Sequence, residues 1–388
     1  MFLYQKVYSQ LKDQIIRGET PNGTILPSER ELGEIYHVDR TTIRKAFQIL
    51  SEENLVSKHA GKGTIVTYTG QPQAAPPASP GVPGPQASPS GVCGNGTIAF
   101  LLPKSNRNSD RITVPFYSQL FSSVETCCRR LGFSLMYSTL DETDDLQTIL
   151  EQNGSRITGI MFVSNIAEKH IDQAIRMAIP AVLTNSSSGK TPSIVADNFS
   201  GTYGACQHLI RLGHRDICVL NGIEQYHSAH ERLEGVLSAM KNHGLPLPGE
   251  FIISGDSWEF EGGFHAVSSL LRQSRKLPTG IIAFNDRLAS GALQAVQQAG
   301  LRVPEDISII GFDNSELAMY SVPRLSSVEI NIPLMAKASV ASLFSQMKLG
   351  ETIPVKIQVP VSYIERDSVA EARYSGEQAG AEDAGREF

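Results

Sequence analysis

In the first 70 residues, apolar and polar positions follow the spacing of a helix and then, towards the end, the spacing of a strand. Residues 4–17 place apolar or aromatic side chains on one face and end at Gly18, which predicts an amphipathic helix. One helix-capping signal is formed by Ser28 with Glu31 and a second by Asp39, so a short helix is predicted to begin at each of these two points. Residues 56–59 and 64–67 have strand patterns around a glycine-rich tip. Helices followed by a hairpin predict a winged helix-turn-helix domain.

The helix that begins after Asp39 has two unlike faces. At about 100° per residue, one arc is apolar and the other cationic. The apolar arc contains Ile43, Ala46, Phe47 and Leu50, and the cationic arc contains Arg40, Thr41, Arg44 and Lys45. Such a helix can pack on a small domain while its guanidinium groups contact guanine edges or phosphates in the major groove. The alternative for any one arginine is a surface ion pair, such as Arg30 with Glu34.

Periodicity stops after the hairpin and returns in a different form. Residues 70–95 are rich in Pro, Ala, Ser and Gly and are interpreted as a linker. It separates a head, residues 1–69, from a body, residues 96–366. Apolar strands alternate with helical patterns in the body; the strands are 97–102, 133–137, 159–163, 181–183, 217–220, 251–253, 280–284 and 307–311.

This alternation predicts an α/β fold with parallel sheets covered on both faces. The body is too long for one sheet, so two lobes are expected, with ligands at the carboxyl ends of strands facing a cleft. On this geometry alone, Ser105 and Arg107 after the first strand and Asn185 after the fourth are candidates for ligand contact. Residues 367–388 are rich in Glu, Ala and Gly, and we expect them to be a disordered tail.

The composition and motifs of the chain argue against several classes of protein. With a net charge of −6 and a pI near 5.9, the chain lacks the positive field that non-specific coating of nucleic acid requires, although a small basic head is compatible with it. No apolar run is long enough to span a bilayer and no signal peptide is evident, so a cytoplasmic location is expected. The five cysteines form no C-x-x-C pair, and neither a disulfide framework, a metal site nor a cofactor is predicted. No nucleophile elbow, Walker loop or dinucleotide fingerprint follows a strand, so an enzyme is not expected.

Three blocks of the head resemble the DNA-binding domain of the GntR family of bacterial repressors. They are Leu-Pro-Ser-Glu-Arg-Glu-Leu from Leu26, Val-Asp-Arg-Thr-Thr-Ile-Arg-Lys-Ala from Val38 and Gly-Lys-Gly-Thr-Ile-Val from Gly61. The resemblance covers residues 2–68 and implies DNA contact by Arg30, Arg40, Thr41 and Arg44, with Gly61 and Lys62 of the wing at the minor groove or backbone. Asp39 departs from the family, which more often has Ser or Thr there.

The body is similar to the effector-binding domain of LacI/GalR-type regulators, which resemble periplasmic sugar-binding proteins. The similarity rests on blocks at 208–217, 231–235, 284–289 and 303–314 and spans about residues 96–366. A GntR head on a LacI-type body is the arrangement of arabinose-repressor-like proteins. The short hinge helix of ordinary LacI-type proteins is missing, and the proline-rich linker stands in its place.

This second resemblance implies an effector site. Arg232 takes the place of the family's ligand-binding arginine, Asn285 and Asp286 follow one strand, Asp313 follows another, and Trp258 lies in a loop whose aromatic residue stacks on ligand. Three alternatives stay open: Arg232 and Asp313 can form a structural ion pair, Asp286 can cap the following helix, and Trp258 can belong to the core.

The expected function is transcriptional repression by a homodimer bound to double-stranded operator DNA and controlled by a small sugar or related metabolite. One alternative is a cytoplasmic sensor that takes a purine or other non-sugar corepressor. A second alternative, a sugar-binding transport receptor, is disfavoured by the winged head.

Overall fold

The computed structural model describes residues 7–8, 11–12, 14–15, 20–36, 38–52, 55–59, 63–67, 96–105, 111–152, 156–255, 257–274 and 276–372. Its chain forms two compact units, residues 1–89 and residues 90–388. No helix in the described ranges has the length and apolar character that crossing a lipid bilayer requires.

The first unit is the predicted winged helix-turn-helix. Residues 7–8, 11–12 and 14–15 are helical, and Val7, Leu11 and Ile15 are buried. Helices α1 (Glu29–Tyr36) and α2 (Arg40–Glu52) follow, and then strands β1 (Val56–His59) and β2 (Gly63–Val66) pair antiparallel. Ile25 bridges to Ile65 beside this hairpin. One apolar core, between Val7 and Val66 in sequence, holds all these elements together.

Both predicted helix caps of the head are formed. The amide of Glu31 donates to Ser28 Oγ at 3.3 Å and the amide of Ser28 donates to Glu31 Oε2 at 2.8 Å, a reciprocal capping box. The amide of Thr42 donates to Asp39 Oδ1 at 2.9 Å, which starts α2. Hydrogen bonds from Thr41 and Thr42 lower the pKa of Asp39 to about 2, so this cap stays ionised at neutral pH.

The second unit contains two parallel sheets, one in each lobe. Lobe 1 is built on β3 (Gly96–Pro103), β4 (Phe133–Leu140), β5 (Ile157–Val163), β6 (Ala181–Thr184), β7 (Ser193–Ala196) and, much later in the chain, β13 (Lys356–Val359). Their order across the sheet is β13-β7-β6-β5-β3-β4. Strands such as β6 are buried at every position because helices cover both faces. Those helices are α3 (Pro115–Arg130), α4 (Leu146–Glu151), α5 (Glu168–Arg176) and α11 (Ile332–Leu349).

Lobe 2 repeats this plan with one reversed edge strand. Its order is β14-β12-β11-β10-β8-β9, and β14 runs antiparallel to β12. The strands are β8 (Ile217–Asn221), β9 (Ile252–Ser254), β10 (Gly280–Ala283), β11 (Ser308–Asp313), β12 (Ser326–Ile330) and β14 (Val361–Ile364). The helices are α6 (Asn198–Arg211), α7 (His227–Asn242), α8 (Phe260–Gln273), α9 (Asp286–Gln298) and α10 (Glu316–Tyr320).

The chain passes between the two lobes three times. It leaves lobe 1 after β7, returns after β12 to build α11 and β13, and leaves again after β13 for β14. Each sheet therefore contains at least one strand that is distant in sequence from the others. The predicted two-lobed α/β body is confirmed.

The body ends later than the sequence indicates, since residues 367–372 pack on lobe 2 instead of forming part of a disordered tail. Ser368 Oγ donates to the carbonyl of Ile309 at 2.6 Å, and the carbonyl of Ala370 lies 3.0 Å from His214 Nε2. The amide of Ala372 donates to the carbonyl of Leu212 at 2.8 Å. Two of these contacts are made by backbone groups and one by a serine hydroxyl, so no apolar periodicity marks the segment.

Candidate effector site and DNA-binding face

Helix α2 presents the two faces that its periodicity predicts. Ile43, Ala46 and Leu50 are fully buried, and Phe47 is nearly so. The opposite face is exposed and contains Arg40, Thr41, Arg44 and Lys45. With its apolar face fixed on the head's core, α2 is free to enter a DNA groove with the cationic one.

Two of the candidate arginines are held in ion pairs. Arg30 Nε lies 3.2 Å from Glu34 Oε1, an exposed pair one helical turn apart. Arg44 Nη2 lies 3.0 Å from Glu29 Oε2, which links α2 to α1. Exposed pairs contribute about 1 kcal/mol or less, so a phosphate or base edge can displace them. Gly61 and Lys62, the predicted wing contacts, lie outside the described residues.

The body contains a cavity of about 240 Å³ at the carboxyl ends of its strands. Six of the eight predicted effector residues line it: Ser105, Asn185, Arg232, Trp258, Asn285 and Asp313. Arg107, another candidate, lies outside the described residues. Ser105 and Asn185 come from lobe 1 and the other four from lobe 2, so the cavity lies between the lobes. This is the place where parallel α/β sheets bind ligands.

Three of the lining residues adopt left-handed backbone conformations. They are Ser164 (φ 67°), Asn185 (φ 60°) and Asp313 (φ 103°), each at the end of a strand. Non-glycine residues rarely adopt positive φ, and such conformations cost about 1–3 kcal/mol each. The backbone at these strand ends is therefore strained, and the strained conformation places polar side chains at the cavity.

Arg232 is the most completely fixed side chain of the site. It lies on α7, and its Nε donates to Asn198 Oδ1 at 2.9 Å while its Nη1 donates to the carbonyl of Phe284. Its guanidinium also lies 3.6 Å from the ring centroid of Phe312, a cation–π contact. Burial lowers the pKa of Arg232 to about 10, which leaves it charged at neutral pH.

Asp313 is the partner of Arg232 across the cavity floor. Arg232 Nη2 and Asp313 Oδ1 are 3.9 Å apart, so an ion pair exists, but a long one. Both groups line the cavity, and the structural pairing does not prevent contact with a ligand. Burial raises the pKa of Asp313 to about 7, against the opposing effect of Arg232.

This raised pKa predicts a specific dependence of stability on pH. Between the ordinary aspartate pKa of 3.8 and about 7, Asp313 is protonated in the folded protein but ionised in the unfolded chain. Its contribution to the free energy of unfolding is therefore present below pH 4 and falls as the pH rises through 7. The melting temperature of the full chain should fall as the pH rises from 4.5 to 7.5, and in Asp313→Asn this fall should be a few degrees smaller. Roughly 1 kcal/mol of stability corresponds to about 2–4 °C in a domain of 150–250 residues.

The matched control for this measurement is Asp172→Asn. It removes a surface carboxylate that lies 2.7 Å from Lys190 and should keep the wild-type dependence. Equal slopes for the wild type and Asp313→Asn would contradict the assignment.

Asp286 is the one predicted effector residue, among those that the structure describes, that does not line the cavity. Its carboxylate is buried beneath the strand ends, where Oδ1 accepts from Ser327 Oγ and Oδ2 from the amide of Ser315, both at 2.6 Å. A side chain on Gly311 would collide with this carboxylate, so the glycine makes room for it. Nor does Asp286 cap the helix, since Asn285 Oδ1 accepts from the amide of Leu288 at 2.8 Å. Asp286 thus holds the loop that directly follows Asp313, the last residue of β11.

Trp258 and Tyr226 form an aromatic wall. Their rings are stacked, with centroids 5.8 Å apart and planes 11° from parallel. The Trp258 carbonyl accepts from Asn285 Nδ2 at 2.9 Å, and its indole Nε1 is buried without a hydrogen-bond partner. Trp258 is therefore a partly buried wall residue with an unused donor rather than a residue of the deep core.

Sequence reasoning missed several lining residues. Ser164 and Asn165 directly follow β5, so the strand-end rule applied to Ser105 and Asn185 also covers them. Arg111 lies in a short 3₁₀ turn (Arg111–Thr113), and no sequence pattern marks it. The other lining residues that were not predicted are Val114, Phe116, Tyr117, Ile223, Tyr226, Ser228, Ser257, Glu259, Arg287 and Ile330.

Comparison with known proteins agrees with this geometry. The family model for bacterial regulatory proteins of the gntR family matches residues 3–66, and the model for a periplasmic binding protein-like domain matches residues 206–369. The probable transcriptional repressor ExuR of Bacillus subtilis is 34% identical over 58% of this chain and 68% of its own length. The chain belongs to the LacI family of transcriptional regulators.

Further LacI-family proteins show the same relationship. Catabolite control protein A of Priestia megaterium is 32% identical over 55% of this chain and 65% of its own length. The repressor PurR of Actinobacillus pleuropneumoniae is 32% identical over 61% of this chain and 72% of its own length. A LacI family regulator from Enterococcus faecium, solved with bound ribose, is 26% identical, covers 71% of this chain and 100% of its own, and superposes with a TM-score of 0.62. The chain is a DNA-binding regulator, not an enzyme, and its head is of the GntR type.

Proposed function

We propose that this regulator is a cytoplasmic repressor that binds an inverted-repeat operator as a homodimer, and that a small sugar in the cavity changes its affinity for DNA. The observation that carries the proposal is the interlobe cavity, where Arg232, Asp313 and strand-end amides surround a space of single-ring size. Planar charged groups and amides are suited to vicinal hydroxyls, and an aromatic wall is suited to the C–H face of a sugar ring.

The DNA contacts belong to the same proposal. Arg30, Arg40, Thr41, Arg44 and Lys45 would contact the duplex from the head, with Gly61 and Lys62 of the wing. Because the cavity lies between two lobes, a ligand that prefers one lobe arrangement shifts the population toward it. If that arrangement disfavours DNA binding, the sugar acts as an inducer.

A purine corepressor is the second candidate, since relatives include repressors named PurR. A planar base needs an aromatic face or a gap between two faces. Here Tyr226 and Trp258 are stacked on each other, so this wall offers a base one outer face and no gap between two faces. We favour the sugar because polar groups suited to hydroxyls, among them Asn165, Asn185 and Asp313, line the rest of the cavity.

The test uses the full chain and an operator that it selects from a pool of random duplexes. Binding is measured by fluorescence anisotropy with and without monosaccharides, hypoxanthine and guanine. We expect an inverted repeat to be selected and a sugar to weaken binding. Failure to enrich any sequence would refute the repressor proposal, and a response to the purines alone would support the second candidate.

A further inference from the structure

The charges that line the cavity do not balance. Five charged residues face it: Arg111, Arg232, Arg287, Glu259 and Asp313. Arg287 pairs with Glu259, and Arg232 lies 3.9 Å from Asp313. Within the described ranges no carboxylate pairs with Arg111, so one positive charge is left over.

Arg111 is also short of hydrogen bonds. Its Nη1 donates to the Tyr226 hydroxyl at 3.1 Å, but its Nε is buried and has no acceptor among the residues that the structure describes. Tyr117 lies close by, and burial raises the pKa of its phenol, which therefore stays neutral and brings no negative charge. Arg111 is partly buried at the cavity, and a partly desolvated cation without a counter-charge is unfavourable. A ligand with a negative group would supply the missing charge.

The single positive charge indicates which anion fits. One guanidinium matches one carboxylate in charge. A phosphate ester carries about −1.5 to −2 charges and three terminal oxygens, which one arginine does not neutralise. The remaining polar groups of the cavity, such as Asn165, Asn185 and Asp313, are suited to hydroxyl groups.

We propose that the effector is a polyhydroxylated carboxylic acid about the size of one sugar ring, whose carboxylate binds Arg111. This rests on the proposed function, because it names the chemical class of the molecule that occupies the effector cavity. Tyr226 at the lobe 2 wall holds Arg111 of lobe 1 in place, so the anion site, like the cavity, involves both lobes.

The test compares matched ligands by calorimetry with the full chain: glucose with glucuronate and gluconate, galactose with galacturonate, and glucose 6-phosphate. We expect at least one acid to bind 10-fold or more tightly than its neutral counterpart and than the phosphate ester. Arg111→Met should lower the affinity for the acid at least 10-fold and leave that for the neutral sugar unchanged. Arg302→Met, which removes an exposed arginine paired with Asp306, is the matched control.

The comparison of ligands on the wild type decides the matter even if Arg111→Met is less stable. Absence of binding by every acid, or preference for neutral sugars or the phosphate, would overturn the inference. A neutral sugar that still weakens operator binding would refute only this inference and leave the proposed repressor function intact.

Discussion

Replacing Arg40 and Arg44 together by alanine is expected to weaken operator binding by roughly 30-fold or more, because each contact of this kind contributes about 1–3 kcal/mol. Both side chains are exposed on α2, opposite the buried Ile43 and Leu50. The fold should therefore be unaffected, as for most surface substitutions. Anisotropy titrations with the selected operator measure the loss, and repeating them at several salt concentrations separates base from phosphate contacts.

The salt dependence distinguishes the two kinds of contact. Each lost phosphate contact reduces the slope of log affinity against log salt by about 0.9, whereas a lost base contact leaves the slope unchanged and relaxes sequence preference. Arg302→Ala, on the body, is the control and should bind as the wild type does. Unaltered affinity in the double variant would show that α2 does not enter the groove.

The second large effect is expected at Arg232. Arg232→Ala should lower the free energy of unfolding of the body by about 2–4 kcal/mol, because two buried acceptors, Asn198 Oδ1 and the carbonyl of Phe284, would lose their donor. Asp313, whose pKa is already raised to about 7, can take up a proton once its partner is gone. Denaturant titration of the full chain measures the change, and Arg302→Ala should cost about 1 kcal/mol or less.

A compensated variant separates stability from ligand binding. In Arg232→Met combined with Asp313→Leu, neither charge remains and the methionine can still pack on Phe312, so part of the lost stability should return. The response of operator binding to the effector should not return, because both polar groups are absent from the cavity. Recovery of the response would show that Arg232 acts only as a structural residue.

The parts of the site that the sequence predicts are those governed by periodicity. Helical spacing separates Ile43 and Leu50 from Arg40 and Arg44, and the ends of apolar runs locate Asn185 and Asp313. Asp286 was misplaced because it is one residue beyond Asn285. Asn285 is still extended and lines the cavity, whereas Asp286 begins α9 and its side chain points back under the sheet.

The last elements of the body escaped prediction for related reasons. Helix α11 packs between α3 and strands β5, β6 and β7, so it is apolar around most of its circumference and shows little amphipathic pattern. Strand β13 is exposed at three of its four positions and has no apolar run. Arg111 lies in a turn where only tertiary structure decides which side chains meet.

The three passages between the lobes have a consequence for the order in which the protein forms. Every core residue of the head lies before Thr67 in the chain, whereas lobe 1 needs β13 and lobe 2 needs β14 and residues up to 372. Ribosomes add about 5–20 residues per second, so β13 follows the head by an interval on the order of tens of seconds. Each new chain therefore has a DNA-binding head before it has a site at which an effector can control it.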